Sequence, residues 1–210
     1  KEQIVKAIFS FVQQRMNWNK RYGYYTKKGV EAAYKDKTGN VAEINMILTS
    51  MLRLAGLDAN PVLVSTRENG IAFFPNKTVF NYLVSSVKIN EEIILLDATE
   101  KYTDINILPL RSLNWEGRSM DPNNVNKEIN LMPQKNSINL VNIMAEIDSQ
   151  GEINGKVREQ FFDYYAVWYR SVFGNSNSTN RMDYIEKNHL GLEISNHEVL
   201  NNIDVSLPII

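Results

Sequence analysis

Cysteine is absent from this sequence of 210 residues, and only two histidines, His189 and His197, occur in it. Without cysteine there is no thiol nucleophile, no disulfide and no cysteine-bearing zinc or iron–sulfur site. The two histidines stand eight residues apart, too far for adjacent turns of one helix, and any histidine-based metal site or Ser-His-Asp triad has to use one of them. Charge of neither sign is in excess, with 23 Lys and Arg against 24 Asp and Glu and a net charge of −1. That balance does not suit a phosphate backbone, so no nucleic-acid partner is expected. Long hydrophobic runs are missing too: none approaches the ~18–20 apolar residues of a spanning helix, and these residues are not expected to insert in a membrane. No cofactor and no metal are expected. The chain starts at Lys1 inside a helical pattern, without an initiator Met or a signal-peptide pattern, and reads as a piece of a longer polypeptide whose targeting sequence lies outside it.

With 43% hydrophobic and 22% charged residues the chain has the composition of a globular protein, and its length suits one or two packed units. Residues 2–16 place Ile4, Ile8, Phe11, Val12 and Arg15 or Met16 at helical spacing with charges between, the pattern of an amphipathic helix. Residues 18–29 interleave Trp18, Tyr22, Tyr24 and Tyr25 with Lys20, Arg21, Lys27 and Lys28. Such interleaving can stack bases, but with a neutral chain it reads as a loop packed by its own aromatic rings.

The strongest local signal is the run from Thr38 to Glu43. Asn40 is a good N-cap, Glu43 sits where its carboxylate reaches back to the cap N–H, and Ile44, Ile47, Leu48, Met51, Leu52 and Ala55 form one apolar stripe. Gly56 is the stop signal. This predicts a central, largely buried helix whose first residue is Val41. Residues 59–66, 79–89 and 92–98 are rich in β-branched and apolar side chains and read as three strands. The last two are separated by Asn90-Glu91, an antiparallel hairpin turn, and the first two by a longer loop, 67–78. Helices followed by consecutive antiparallel strands give an α+β fold, a central helix packed on an antiparallel sheet, and not a doubly wound one.

A polar, proline-bearing stretch, 119–125, reads as a linker between a core of residues 1–118 and a smaller β-rich accessory domain, 126–210, whose end at Ile210 reads as a truncation. In that second part, 138–147 and 153–162 flank a turn as another hairpin, 164–173 reads as a helix and 174–180 as a flexible loop. Asn76 and Asn177 match the glycosylation sequon by pattern alone.

Three segments carry a resemblance: Gly39 to Asn45 opening the central helix, Val79-Phe80-Asn81-Tyr82-Leu83-Val84, and Leu95-Leu96-Asp97-Ala98-Thr99. In this order, over residues 1–118, they resemble the core of the bacterial transglutaminase-like superfamily, whose fold is that of papain-type cysteine enzymes. In that family a cysteine opens the central helix, a histidine lies on the strand after a Phe-Asn-like pair, and an aspartate ends the next strand. A thiol at the first turn of a helix is stabilised as thiolate by the macrodipole, an imidazole accepts its proton, and a carboxylate orients the imidazole. Here Val41 stands at the cysteine position and Tyr82 at the histidine position, and only Asp97 matches. The resemblance thus implies a degenerate triad and an inactive enzyme. If residue numbers across the hairpin sum to about 181, Val84 faces Asp97 and Tyr82 lies one diagonal step away on the same face, which predicts a hydrogen bond from the Tyr82 hydroxyl to Asp97.

Three readings of function follow. In the first, a groove over Trp18, Asn40, Val41, Asn81, Tyr82 and Asp97 binds a peptide, glycan or protein partner without cleaving it. In the second, the groove is filled and the domain is a structural spacer in a larger exported protein. The third is an atypical hydrolase using Asp97 with Glu43 or Tyr82. Thr38, Thr49 or Ser50 as a substitute nucleophile lacks a base. Arg53 and Arg67 could bind a carboxylate or form structural ion pairs. His189 and His197 with Glu186, Glu193 and Glu198 could hold a metal, though their flanks read as loops. The cluster of Phe161, Phe162, Tyr164, Tyr165, Trp168 and Tyr169 reads as core with an exposed remainder that could form an aromatic platform. The resemblance to exported proteins of the Bacteroidetes type with β-sandwich flanks implies a periplasmic or cell-surface location.

Overall fold

The computed structural model describes residues 1–74, 78–121 and 127–210. In the first part the chain runs α1 (Glu2–Arg15), β1 (Asn17–Trp18), α2 (Val30–Asp36), β2 (Thr38–Gly39), α3 (Val41–Leu54), β3 (Asp58–Val64), β4 (Tyr82–Ile89), β5 (Glu92–Leu96), β6 (Glu116–Ser119) and β7 (Lys127–Asn130). Helix α3 starts at Val41 behind a complete capping box: Glu43 N donates to Asn40 Oδ1 and Asn40 N to Glu43 Oε2, both at 2.8 Å. A side chain at Gly39 would bring its Cβ to 2.9 Å from the Glu43 Cβ, so the close approach that lets Glu43 fold back requires glycine there.

Helix α1 and helix α3 share one core with the sheet. Val5, Phe9, Val12 and Met16 pack with Ile44, Ile47, Leu48 and Leu52 and with Ala59, Val87, Leu96 and Ala98. The buried stripe of α1 is therefore rotated from the expected one, and Ile4 and Phe11 are exposed. Both stripes are apolar, and Gln13 distinguishes them: its buried amide donates to the carbonyls of Glu100 at 2.7 Å and Thr103 at 3.0 Å. The segment 18–29 is largely a loop, but its first residue, Trp18, ends a two-residue strand parallel to Thr38–Gly39. The seven-residue helix α2 was too short for a helical period to show in the sequence.

The sheet has the order β5-β4-β3-β6-β7 with every neighbour antiparallel. The β4–β5 register runs from Ser85↔Leu96 to Ile89↔Glu92, a sum of 181, and the turn uses Asn90 at φ 56°. Strands β6 and β7 were not foreseen, because four-residue strands such as Glu-Gly-Arg-Ser show no alternation of apolar residues. They extend the sheet beyond β3 and correct the expected boundary: the linker at 119–125 starts inside β6, β7 returns to pair with β6, and the compact units are residues 1–134 and 135–210. Residues 122–125 of that linker, residue 126 and the sequon at Asn76 lie outside the described residues.

The second unit, expected to be β-rich, holds two nine-residue strands, β8 (Asn139–Ile147) and β9 (Ile153–Phe161), and two eleven-residue helices, α4 (Asp163–Phe173) and α5 (Ser178–Asn188). Helix α5 begins within the stretch expected to be a flexible loop, because Asn177 caps it by accepting from Asn180 N at 2.8 Å. The core is small: Ala166, Tyr169, Phe173 and Ile209, with Phe161 and Val199 against it. Arg170 is 1% exposed and donates to the carbonyls of Asn201, Asn202, Asp204 and Leu207, tying the C-terminal segment to α4.

Asn40→Ala removes the side-chain acceptor of Glu43 N and the amide donor to Tyr25 O while leaving the backbone N–H that bonds Glu43, and is expected to lower the stability of the first unit by about 1–2 kcal/mol. In urea denaturation this appears as a lower midpoint with an unchanged slope; an unchanged midpoint would show that the cap contributes nothing.

Candidate functional site

Asp97 follows the last residue of β5, and its side chain is fully buried. Four donors converge on the carboxylate. Oδ1 accepts from Thr99 Oγ1 at 2.6 Å, Thr99 N at 3.0 Å and Asn45 Nδ2 at 3.0 Å, and Oδ2 accepts from the Tyr82 hydroxyl at 2.6 Å. The Tyr82 bond is the one the hairpin register predicts. Asn45 does more than touch Asp97: its Nδ2 also donates to Leu83 O, and its Oδ1 accepts from Ala98 N. One amide thereby joins α3 to β4 and to the end of β5.

The carboxylate's counter-charge comes from Arg111, on the short turn Leu110–Ser112. Arg111 Nε donates to the Tyr82 hydroxyl at 2.9 Å and Nη2 to Thr99 Oγ1 at 2.8 Å, while Nη1 pairs with Glu100 at 3.3 Å. Both hydroxyls thus accept from the guanidinium and donate to the carboxylate, so the ion pair is relayed through two oxygen atoms. Burial pushes the Tyr82 phenol well above its ordinary range, the Asp97 charge pushes it further, and Arg111 offsets only part of this. The phenol stays protonated near neutral pH and cannot serve as a base.

The space above is occupied by side chains and by the loop after β1. The Arg111 guanidinium lies 4.4 Å from the centre of the Trp18 ring. Trp18 stacks on Tyr22 at 5.8 Å, and Tyr22 meets the Tyr82 ring edge-on at 5.4 Å. The same loop crosses the start of α3: Val41 N donates to Arg21 O, and Asn40 Nδ2 to Tyr25 O. Of the six residues expected to line a groove, Asn40, Val41, Tyr82 and Asp97 are buried, and Trp18 and Asn81 are half-buried. Asn81 exchanges hydrogen bonds with Thr66.

The other candidates have structural tasks. The Glu43 carboxylate accepts from the backbone N–H groups of Asn40, Lys27 and Lys28 at 2.7–2.8 Å. Burial alone would raise its pKa, but those N–H groups outweigh burial and hold it below its ordinary value. Thr49 bonds to Asn45 O and to Ser85 Oγ, and Ser50 is exposed on α3. Thr38 is half-buried in β2. Arg53 donates to Ala59 O and Asn60 Oδ1, and Arg67 is exposed. In the second unit Glu186 accepts from Ile194 N, and His189 is exposed. Among the described residues no three His, Asp or Glu are placed to hold a metal ion. Tyr169 is core, while Tyr165 and Trp168 are exposed. Asn45, Thr99 and Arg111 were missed as site residues. Asn45 left a signal, a polar residue between Ile44 and Ile47 on the apolar stripe; Arg111, on a loop far along the chain, left none.

Tyr82→Phe strips a donor from a buried carboxylate and an acceptor from Arg111, and is expected to cost about 2–4 kcal/mol. Combined with Arg111→Gln, the loss should fall short of the sum by about 0.5–3 kcal/mol in chemical denaturation; strict additivity would show that the two groups do not share one network. The lowered Glu43 pKa stabilises the fold at every pH above its ordinary value of 4.5, and this contribution is lost as pH falls from there through the folded-state pKa. Glu43→Gln should therefore flatten the acid side of the stability profile, and an unchanged acid slope would refute the assignment.

Residues 1–99 match the family model of the transglutaminase-like superfamily. No curated protein and no solved structure matches the chain. The matched stretch runs from α1 through the Asp97 turn and contains the capped helix, the hairpin and the buried carboxylate. Residues 1–99 thus carry the match to the transglutaminase-like superfamily, within a first unit of mixed helix and sheet, in a chain that has no cysteine.

Proposed function

We propose that the first unit is a catalytically inactive transglutaminase-like domain that serves as a structural scaffold. The observation that carries this is burial: Val41, Tyr82 and Asp97, at the positions that the resemblance assigns to the triad, are each 0% exposed. No thiol is available at Val41, the Tyr82 phenol is a donor and not a base, and both carboxylate oxygens of Asp97 are engaged. The carboxylate pair Asp97 and Glu43 is equally unsuited to hydrolysis, since Glu43 is held ionised by three backbone N–H groups and has no proton to give near neutral pH.

A partner-binding role finds support elsewhere on the unit. Asn114 Nδ2 donates to the carbonyls of Ser65, Thr66 and Gly70, which joins two loops carrying exposed Leu110, Trp115, Ile71, Phe73 and Phe74. Exposed apolar surface of this kind suits contact with another protein better than the closed site does. An extracytoplasmic setting is part of the same proposal and rests on the resemblance alone.

The lack of cysteine makes the closure testable. In a Val41→Cys variant the new thiol is expected to react with a soluble disulfide reagent at least ~10³-fold more slowly than in a Leu54→Cys variant, whose site is 88% exposed. Comparable rates at the two positions, with both variants folded by circular dichroism, would mean that the site is open and would overturn the structural reading.

A further inference from the structure

The second unit contains a concave space of about 1860 Å³ bounded by one face of the β8–β9 hairpin, by α4 and α5, and by the segment 192–200. Ile143 and Val157, a cross-strand pair on that face, and Trp168 on α4 present exposed apolar surface to it. The wall also carries polar side chains, Lys156, Arg158, Glu159, Glu193 and Glu198 among them, and two of its polar groups are short of partners. Arg181 on α5 donates from Nη2 to Phe173 O at 3.1 Å, but its Nε is buried with no hydrogen-bond partner, and among the described residues it makes no ion pair. His197 Nδ1 is likewise buried and unpartnered. Burial, and after it the nearby Arg181 charge, lower the His197 pKa, so at neutral pH a permanent cation stands beside a neutral imidazole.

A buried donor left unpaired is costly, and one on a charged group more so. A cleft that pairs an apolar patch with a guanidinium whose Nε lacks an acceptor is complementary to a molecule with an apolar body and one anionic head, and a carboxylate matches the fork of an arginine. We propose that this cleft binds an amphipathic carboxylate, with its apolar body against Trp168, Val157 and Ile143 and its carboxylate on Arg181 Nε and the His197 imidazole. The volume exceeds the usual range of about 300–1000 Å³ for compact ligands, which suits a long or bulky body. The site lies wholly within the second unit and is independent of the transglutaminase-like domain.

The chain has three tryptophans, and Trp168 alone belongs to the second unit, so its indole N–H is a local reporter in a two-dimensional NMR spectrum of the whole protein. Titration with decanoate or with 4-phenylbutyrate is expected to shift the Trp168 signal saturably and to leave those of Trp18 and Trp115 in place. Which of the two binds more tightly tells an aliphatic from an aromatic acid. Decanol, which has the apolar body without the charge, should bind at least 10-fold more weakly than decanoate. Arg181→Gln should weaken the acid by about 10- to 100-fold and leave decanol unchanged. If Arg181→Gln does not fold, Arg181→Lys, which keeps the charge but lacks Nε, and His197→Ala take its place, each with weaker acid binding expected. No saturable shift with either acid, equal binding of decanoate and decanol, or acid binding indifferent to these substitutions would each overturn the proposal.

Discussion

The first unit is organised around one buried negative charge. The Asp97 carboxylate sits where α3, the start of β4, the end of β5 and the turn at Arg111 meet, and each supplies a ligand to it or to its relay. Removing a carboxylate from water costs several kcal/mol and is offset only when nearly every lone pair finds a donor and an opposite charge stands near. That requirement constrains the surroundings. Asn45 has to face the sheet, which sets the rotation of α3, and the 82–89 strand has to pair with 92–96 in the one register that brings the Tyr82 hydroxyl to Oδ2. A one-residue slip would turn Tyr82 to the other face and leave the charge unpaired. The network acts less as a source of net stability than as a condition that selects one arrangement of helix and sheet.

The same constraint explains why the site is closed. A triad at this place would need an accessible nucleophile and an imidazole free to exchange protons with it. With Val41 and Tyr82 there instead, neither group needs solvent, and a phenol bonded to a carboxylate is best kept dry, because a lower local dielectric strengthens the bond. Arg111 brings the compensating charge from above, and Trp18 covers its face by a cation–π contact. Two donors at the start of α3, Val41 N and Glu43 N, which could bind an anion if exposed, are taken by Arg21 O and by the cap.

Where structure depended on local chemistry it was legible in the sequence. The capping box at Asn40 and Glu43, the hairpin turn at Asn90-Glu91 and the diagonal between Tyr82 and Asp97 all follow from short-range rules of spacing and alternation. What escaped depended on distant partners. The rotation of α1 rests on Gln13 reaching carbonyls some 90 residues on, and an apolar moment cannot distinguish two neighbouring stripes when both are apolar. Arg111 joins the site through a loop without periodicity, and β6 and β7 are too short and too polar to announce themselves. The helix starting at Ser178 was hidden by its own cap, because a run of Asn and Ser reads as a loop until the residues after it are seen to be helical.

Three arginines show how the surroundings of a guanidinium separate architecture from recognition. Arg170 is enclosed by four carbonyls of the segment it secures, so its hydrogen-bonding capacity is spent within the fold. Arg111 uses its nitrogens on two hydroxyls and a carboxylate, and its charge is matched by Asp97 and Glu100. Among the described residues Arg181 has one carbonyl, no carboxylate and a buried Nε without an acceptor, in a wall of mixed polarity that the unit's small core does not fill. A side chain whose bonding is complete can hold a structure together but has nothing left with which to recognise a ligand. By that criterion the bonding around Asp97 is architectural, and the least satisfied guanidinium of the three is that of Arg181 in the second unit.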